Sequence, residues 1–187
     1  MAETWSEPDL IAAGWSRADL DWETLAEEAL AALAADDAVR ARAATGRALF
    51  LARENFAGDD PRLATALANH GALLTREGEA AGRELAAEGR RAWARAGPWI
   101  ARMKAPRVAR SSMFHMRMEQ RHRATYEERW RIKWHELAQD ARTRVASGGL
   151  CDAAAAAQAL ARWQRERPAM LNDTRKLMAA VHLLVTG

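Results

Sequence analysis

Cysteine is almost absent from this chain of 187 residues, Cys151 being its only one. That excludes a disulfide scaffold, a zinc finger and a cysteine-ligated cluster. Strand-forming residues are scarce, with aromatics at 6% and a single tyrosine, which disfavours a sheet-built protein. Lysine is nearly missing, three residues against 25 arginines. No apolar run approaches the roughly 18 residues that cross a bilayer. The start, Met1-Ala-Glu-Thr-Trp-Ser-Glu7, has neither the basic nor the apolar stretch of a secretory signal. There is no glycine-rich phosphate loop, no His-Glu-x-x-His helix and no nucleophile elbow, so the sequence points away from an enzyme and predicts no cofactor. Alanine is abundant, at 45 residues, and it is the strongest helix former. The expectation is a soluble, cytoplasmic, all-α protein, one helical domain over 1–187.

Charge is divided along the chain. Residues 1–60 carry 13 acidic and 5 basic side chains, and residues 83–147 carry 16 basic and 7 acidic, within an overall net of +3. Such a division speaks to association more than to fold. In one reading the acidic front folds back on the basic middle, or pairs with it in a second copy. In the other, the basic middle faces an acidic peptide or a nucleic acid.

Caps and breakers divide the chain into helices. Ser6 with Asp9, and Ser16 or Asp21, open the first two, the second running to about Ala35. Asp36-Asp37 opens the next, to about Phe56. Gly58 and Pro61 mark a strong break, followed by a helix to about Arg76. Gly78 precedes a helix to about Ala96. Gly97-Pro98 and Ala105-Pro106 then bracket a short piece. The chain reads as helical from Pro106 to about Gln120, with a turn near Arg121–Arg123, and again to about Ala146. Two last helices are expected over about 151–165 and 168–185. Helices of this length with short breaks imply antiparallel hairpins.

Pro61-Arg-Leu-Ala-Thr-Ala-Leu-Ala-Asn-His70 lies over Pro106-Arg-Val-Ala-Arg-Ser-Ser-Met-Phe-His115 at an offset of 45 residues. A fixed period of this size is the signature of a solenoid. Leu67-Ala-Asn-His70-Gly71-Ala-Leu-Leu74 resembles the first helix of a tetratricopeptide repeat, with Gly71 at the small position where the paired helix approaches. His70 departs from the family's leucine and Leu74 from its aromatic. The stretch Arg47 to Pro61, with its Asp-Pro linker, resembles the second helix and linker of the longer, kinesin-light-chain-like repeats. The resemblance is good over 47–78 and fair over 79–120. It implies tetratricopeptide-like repeats within 36–147, flanked by acidic tryptophan-containing helices at 1–35 and capping helices at 150–187.

The resemblance also implies that the first helix of each pair lines a concave groove. Arg62, Thr65 and Asn69 share one stripe, three and four residues apart, with Arg62 expected to be exposed. Arg107, Arg110, Phe114, Arg117 and Arg121 form the equivalent stripe. Asn69 matches the groove asparagine that related repeats use to hold a peptide backbone, since an amide both donates and accepts. Arginine forks suit carboxylates, and Phe114 with Met113 suits an apolar side chain. A solvated arginine face offset by Glu119, Glu127 and Glu128 is the alternative.

Other chemistry is thinner. His115, Glu119 and His122 fall on one helical stripe and are candidate metal ligands, with Met113, Met116 and Met118 nearby as soft donors. A di-iron bundle needs two Glu-x-x-His motifs, and only one is present. Tyr126, Trp130 and Trp134, interleaved with Arg123, Arg129, Arg131 and Lys133, suit either base stacking or burial against a partner helix. The favoured expectation is a non-catalytic adaptor or assembly factor that grips an acidic segment of a partner protein. Nucleic-acid binding through 83–147 and a metal-binding helical protein are the alternatives.

Overall fold

The computed structural model describes residues 6–12, 14–103, 113–166 and 173–186; within these, the side chains of 113–124, 126, 166, 173 and 174 fall outside the description. The described residues are mostly helical: α1 (Glu7–Ala12), α2 (Arg17–Ala34), α3 (Ala38–Asn55), α4 (Pro61–Arg76), α5 (Ala80–Arg102), α6 (Met113–Ser147), α7 (Ala153–Glu166) and α8 (Asp173–Leu177). Two-residue strands β1 (Gly149–Leu150) and β2 (Val185–Thr186) pair antiparallel, Leu150 opposite Val185. Among the described residues no helix is long and apolar enough to cross a membrane.

Local chemistry sets the helix starts. Ser16 and Asp19 form a reciprocal capping box at α2, with Ser16 N–H donating to the Asp19 carboxylate (2.7 Å) and Asp19 N–H to the Ser16 hydroxyl (3.2 Å). Asp37 caps α3 by accepting from Arg40 N–H, and Asp60 caps α4 by accepting from Arg62 N–H, ahead of Pro61 in the first turn.

Three expectations are corrected. Gly97-Pro98 does not end a helix: α5 runs through both to Arg102. Pro98 has no N–H to offer the Ala94 carbonyl, and one residue earlier Arg142 of α6 donates to the Trp93 carbonyl (3.4 Å). The turn expected at 121–123 is absent, since α6 is one helix of 35 residues, about 50 Å long. Of the helix expected over 168–185, the described residues show α8 and a 3₁₀ turn at Met178–Ala180, after which the chain extends into β2.

α2 packs on α3, α4 on α5, and α3 on α4, giving two successive helical hairpins. α6 packs on α5, α7 lies against α2, and α8 with the residues after it contacts α4 and α6. The α4–α5 contact is the closest because glycine lines it. A Cβ on Gly71 would lie 2.6 Å from the Ala86 nitrogen, and one on Gly89 would lie 2.9 Å from the Ala68 nitrogen. The small position expected at Gly71 therefore does what was expected of it. Trp22, Trp93 and Trp134 are fully buried in the main core, where α6 contributes Trp134, Leu137, Ala138, Ala141 and Val145 at helical spacing. Trp134, Trp22 and Trp93 each remove a large apolar area from water, the dominant favourable contribution to folding.

Candidate functional site

The stripe of α4 carrying Arg62, Thr65 and Asn69 is turned inward. All three are buried, at 3%, 0% and 4% exposure. The expectation that they form a surface open to a partner is therefore corrected: the chain's own segment 177–185 lies on Thr65 and Asn69, and Arg62 is enclosed by ion pairs. Its Nε and Nη2 reach Asp60 at 3.0 and 2.7 Å, and Nη1 reaches Asp19. The guanidinium stacks on Phe56, 3.6 Å from the ring centroid. Arg62 thus ties the first turn of α2 to the first turn of α4. Burial raises the Asp19 carboxyl, but the Arg62 and Ser16 hydrogen bonds outweigh it and hold the group below the usual aspartate range. Burial lowers the Arg62 guanidinium, and the bonds and charges of Asp60 and Asp19 more than offset that.

Further along α4, side chains hold main chain. Thr65 Oγ1 donates to the Ala179 carbonyl (3.0 Å). The Asn69 amide donates to the His182 carbonyl and accepts from Leu184 N–H, both at 2.8 Å. From the opposite side, Arg144 of α6 donates to three carbonyls: Ala180 at 3.1 Å, Leu183 at 2.8 Å and Val185 at 2.8 Å. Ser147 donates to the Thr186 carbonyl and Cys151 N–H to the Leu184 carbonyl, both at 2.7 Å. A buried non-helical segment needs such partners, because each orphaned peptide group costs the full loss of its water bonds. Asn69 holds main chain of its own chain, not the partner peptide that the resemblance implied. Arg144 makes three of these eight bonds, and the sequence analysis missed it; one more arginine on a long basic helix gives no local signal.

Aromatic rings clasp the same segment. His182 lies between Trp22 and Trp163, with ring centroids 5.5 and 4.3 Å away. The Arg175 guanidinium sits 4.7 Å from Trp15 and 5.7 Å from Trp163, and it pairs with Glu23. Cys151, beside β2, is buried, and burial pushes its thiol up out of the reactive range.

The remaining candidates divide by location. Arg107 and Arg110 lie outside the described residues. Met113, Phe114, Arg117 and Arg121 lie on the first turns of α6, as do His115, Glu119 and His122; their side chains fall outside the description. Among the described residues no cluster of three metal-ligating side chains occurs. Trp134 is buried, while Trp130 is half-buried against it (5.8 Å) under Lys133. The tryptophan stripe therefore serves packing at Trp134 rather than offering two free rings. His70 faces α3, its Nδ1 3.1 Å from the Thr45 hydroxyl, and burial with the Arg42 charge holds the imidazole below its ordinary value.

At least seven of the thirteen carboxylates of the acidic front meet arginines. Glu7 and Asp21 pair with Arg17, Glu28 with Arg40 and Arg47, Asp19 and Asp60 with Arg62, Asp59 with Arg102, and Glu23 with Arg175. Of these arginines, Arg102 alone comes from the basic middle. No family model, curated protein or solved structure matches this chain.

Proposed function

We propose that the chain is a non-catalytic protein-interaction module of tetratricopeptide-like build, and that its partner surface is the arginine-rich stretch carrying Arg107, Arg110, Arg117 and Arg121. Its ligand is an acidic segment of another protein. The pairing of the acidic front with Arg17, Arg40, Arg47, Arg62 and Arg175 supports this reading most. Carboxylates already engaged by these arginines have little to offer the basic stretch, either in the same chain or in a second copy. The stretch then looks outward for counter-charge, and arginine forks match carboxylates in two-bonded geometry. The α4 stripe has no part in partner binding under this proposal, because segment 177–185 lies on it.

The test is a titration of the full chain with a fluorescent glutamate-rich peptide and, separately, with single-stranded DNA of equal length. Reversal of Arg117 and Arg121 to glutamate should abolish peptide binding and leave the melting temperature unchanged. Preferential, steeply salt-dependent binding of the DNA would instead favour the nucleic-acid reading. Peptide binding that survives the double reversal refutes the proposed surface.

A further inference from the structure

A cleft of about 230 Å3 opens between α4, α5, the end of α6 and β2. Ala68, Ala86, Val145 and Val185 give it an apolar wall, and the exposed Arg83 and Arg90 line it from α5. Among the described residues no carboxylate lines it. The Thr75 hydroxyl in its lining is already engaged with the Gly71 carbonyl (2.7 Å). Arg42 pairs with Glu77 and Glu79, and Arg53 with Glu88, whereas the cleft's own arginines are left to solvent. Arg83 and Arg90 make no ion pair among the described residues.

The two arginines lie seven residues apart on one helix, on nearly the same face and about 10 Å apart along the axis. Two long side chains from such positions can converge on one anion. Low-dielectric walls with charge of one sign focus the potential inside a cleft and raise the local concentration of counter-ions. The walls are fixed in advance, because the glycine-lined contact that presses α4 on α5 also sets the spacing of Ala68 and Ala86.

We propose that this cleft binds a short-chain monocarboxylate. Arg83 and Arg90 hold the carboxylate, and the hydrocarbon chain lies against the alanine and valine wall. The cleft, about 230 Å3 and open to solvent at its mouth, admits a short hydrocarbon chain beside the two arginines. A dicarboxylate would place its second charge on the apolar wall without a partner.

Calorimetric titration of the full chain tests this, with hexanoate as the probe. Hexanoate should bind saturably at one site, with acetate weaker for want of a tail and hexanamide weaker for want of charge. Arg83→Gln and Arg90→Gln should each weaken hexanoate about tenfold or more, the usual loss for a bond to a charged group. Both residues are exposed, so the melting temperature should not move. Ala86→Leu keeps both arginines and fills the wall, and it should abolish binding in a protein whose helical spectrum is unchanged. The proposal is overturned if the wild-type chain shows no saturable hexanoate binding, if hexanamide binds as tightly, or if the Arg83→Gln, Arg90→Gln double variant or a folded Ala86→Leu variant binds as the parent does.

Discussion

Asn69→Ala removes two hydrogen bonds at once and leaves the His182 carbonyl and the Leu184 N–H buried in a segment that water does not reach. Each orphaned group costs about 1–3 kcal/mol, so the expected loss is about 2–6 kcal/mol. At about 2–4 °C per kcal/mol for a chain of this size, the melting temperature should fall by roughly 10 °C. Asn69→Asp sharpens the test. At neutral pH its carboxylate can still accept from Leu184 N–H but faces the His182 carbonyl with no proton to give, so it should be the worse variant. Burial raises the carboxyl pKa in the folded state. The folded state then binds a proton more readily than the unfolded one, and stability returns as pH falls through that raised value. The protonated acid can donate and accept, as the amide does. Thermal melts at neutral and mildly acid pH, with hydrogen exchange at the Leu184 amide, supply the readouts. An Asn69→Ala protein that melts with the parent and keeps the Leu184 amide protected would refute the account of the captured segment.

Other substitutions probe other contacts. Gly71→Ala places a Cβ 2.6 Å from the Ala86 nitrogen and should cost about 1–3 kcal/mol, whereas Gly58→Ala, where a Cβ meets nothing, should melt with the parent. Arg62→Leu leaves Asp19 and Asp60 buried and unpaired, and chemical denaturation should register a loss of about 3–5 kcal/mol. Arg144→Lys keeps the charge but cannot span the carbonyls of 180, 183 and 185, so exchange of the 183–186 amides should accelerate. The His70 imidazole is held below its ordinary value, so the unfolded state takes up its proton first as pH falls. Its contribution is whole above the unfolded value of about 6.5 and is lost below it, and urea midpoints of His70→Gln should show a shallower decline from pH 7.5 to 5 than the parent.

Helix starts were legible because their causes are local: Ser16, Asp37 and Pro61 act within a turn of themselves, although the partner of Ser16 is Asp19 and not Asp21. Pro98 misled for the same reason. The proline's local effect is unfavourable, but Ala92, Trp93, Ala96 and Ile100 bury one continuous face across it, and packing decides. Segment 178–186 misled more deeply. Its apolar residues suit a helix, yet its carbonyls are taken by Thr65, Asn69, Arg144 and Ser147, side chains far away in sequence. At the site, the chemistry of Asn69 was readable from its amide, while the identity of the peptide it holds was not. Arg62 read as exposed because its two aspartates come from different helix starts.

The captured segment also bears on the order in which the protein can be built. Thr65 meets Ala179 across 114 residues and Asn69 meets His182 across 113. A chain emerging from the ribosome can form the α2–α3 and α4–α5 hairpins at once, since their contacts are short-range and fast. It cannot cover the inner face of α4 until residue 185 is free. At about 5–20 residues per second, that face waits several seconds, with Thr65 and Asn69 uncovered. The nascent protein therefore passes through a stage that exposes what the finished one conceals, and chaperone demand should concentrate there.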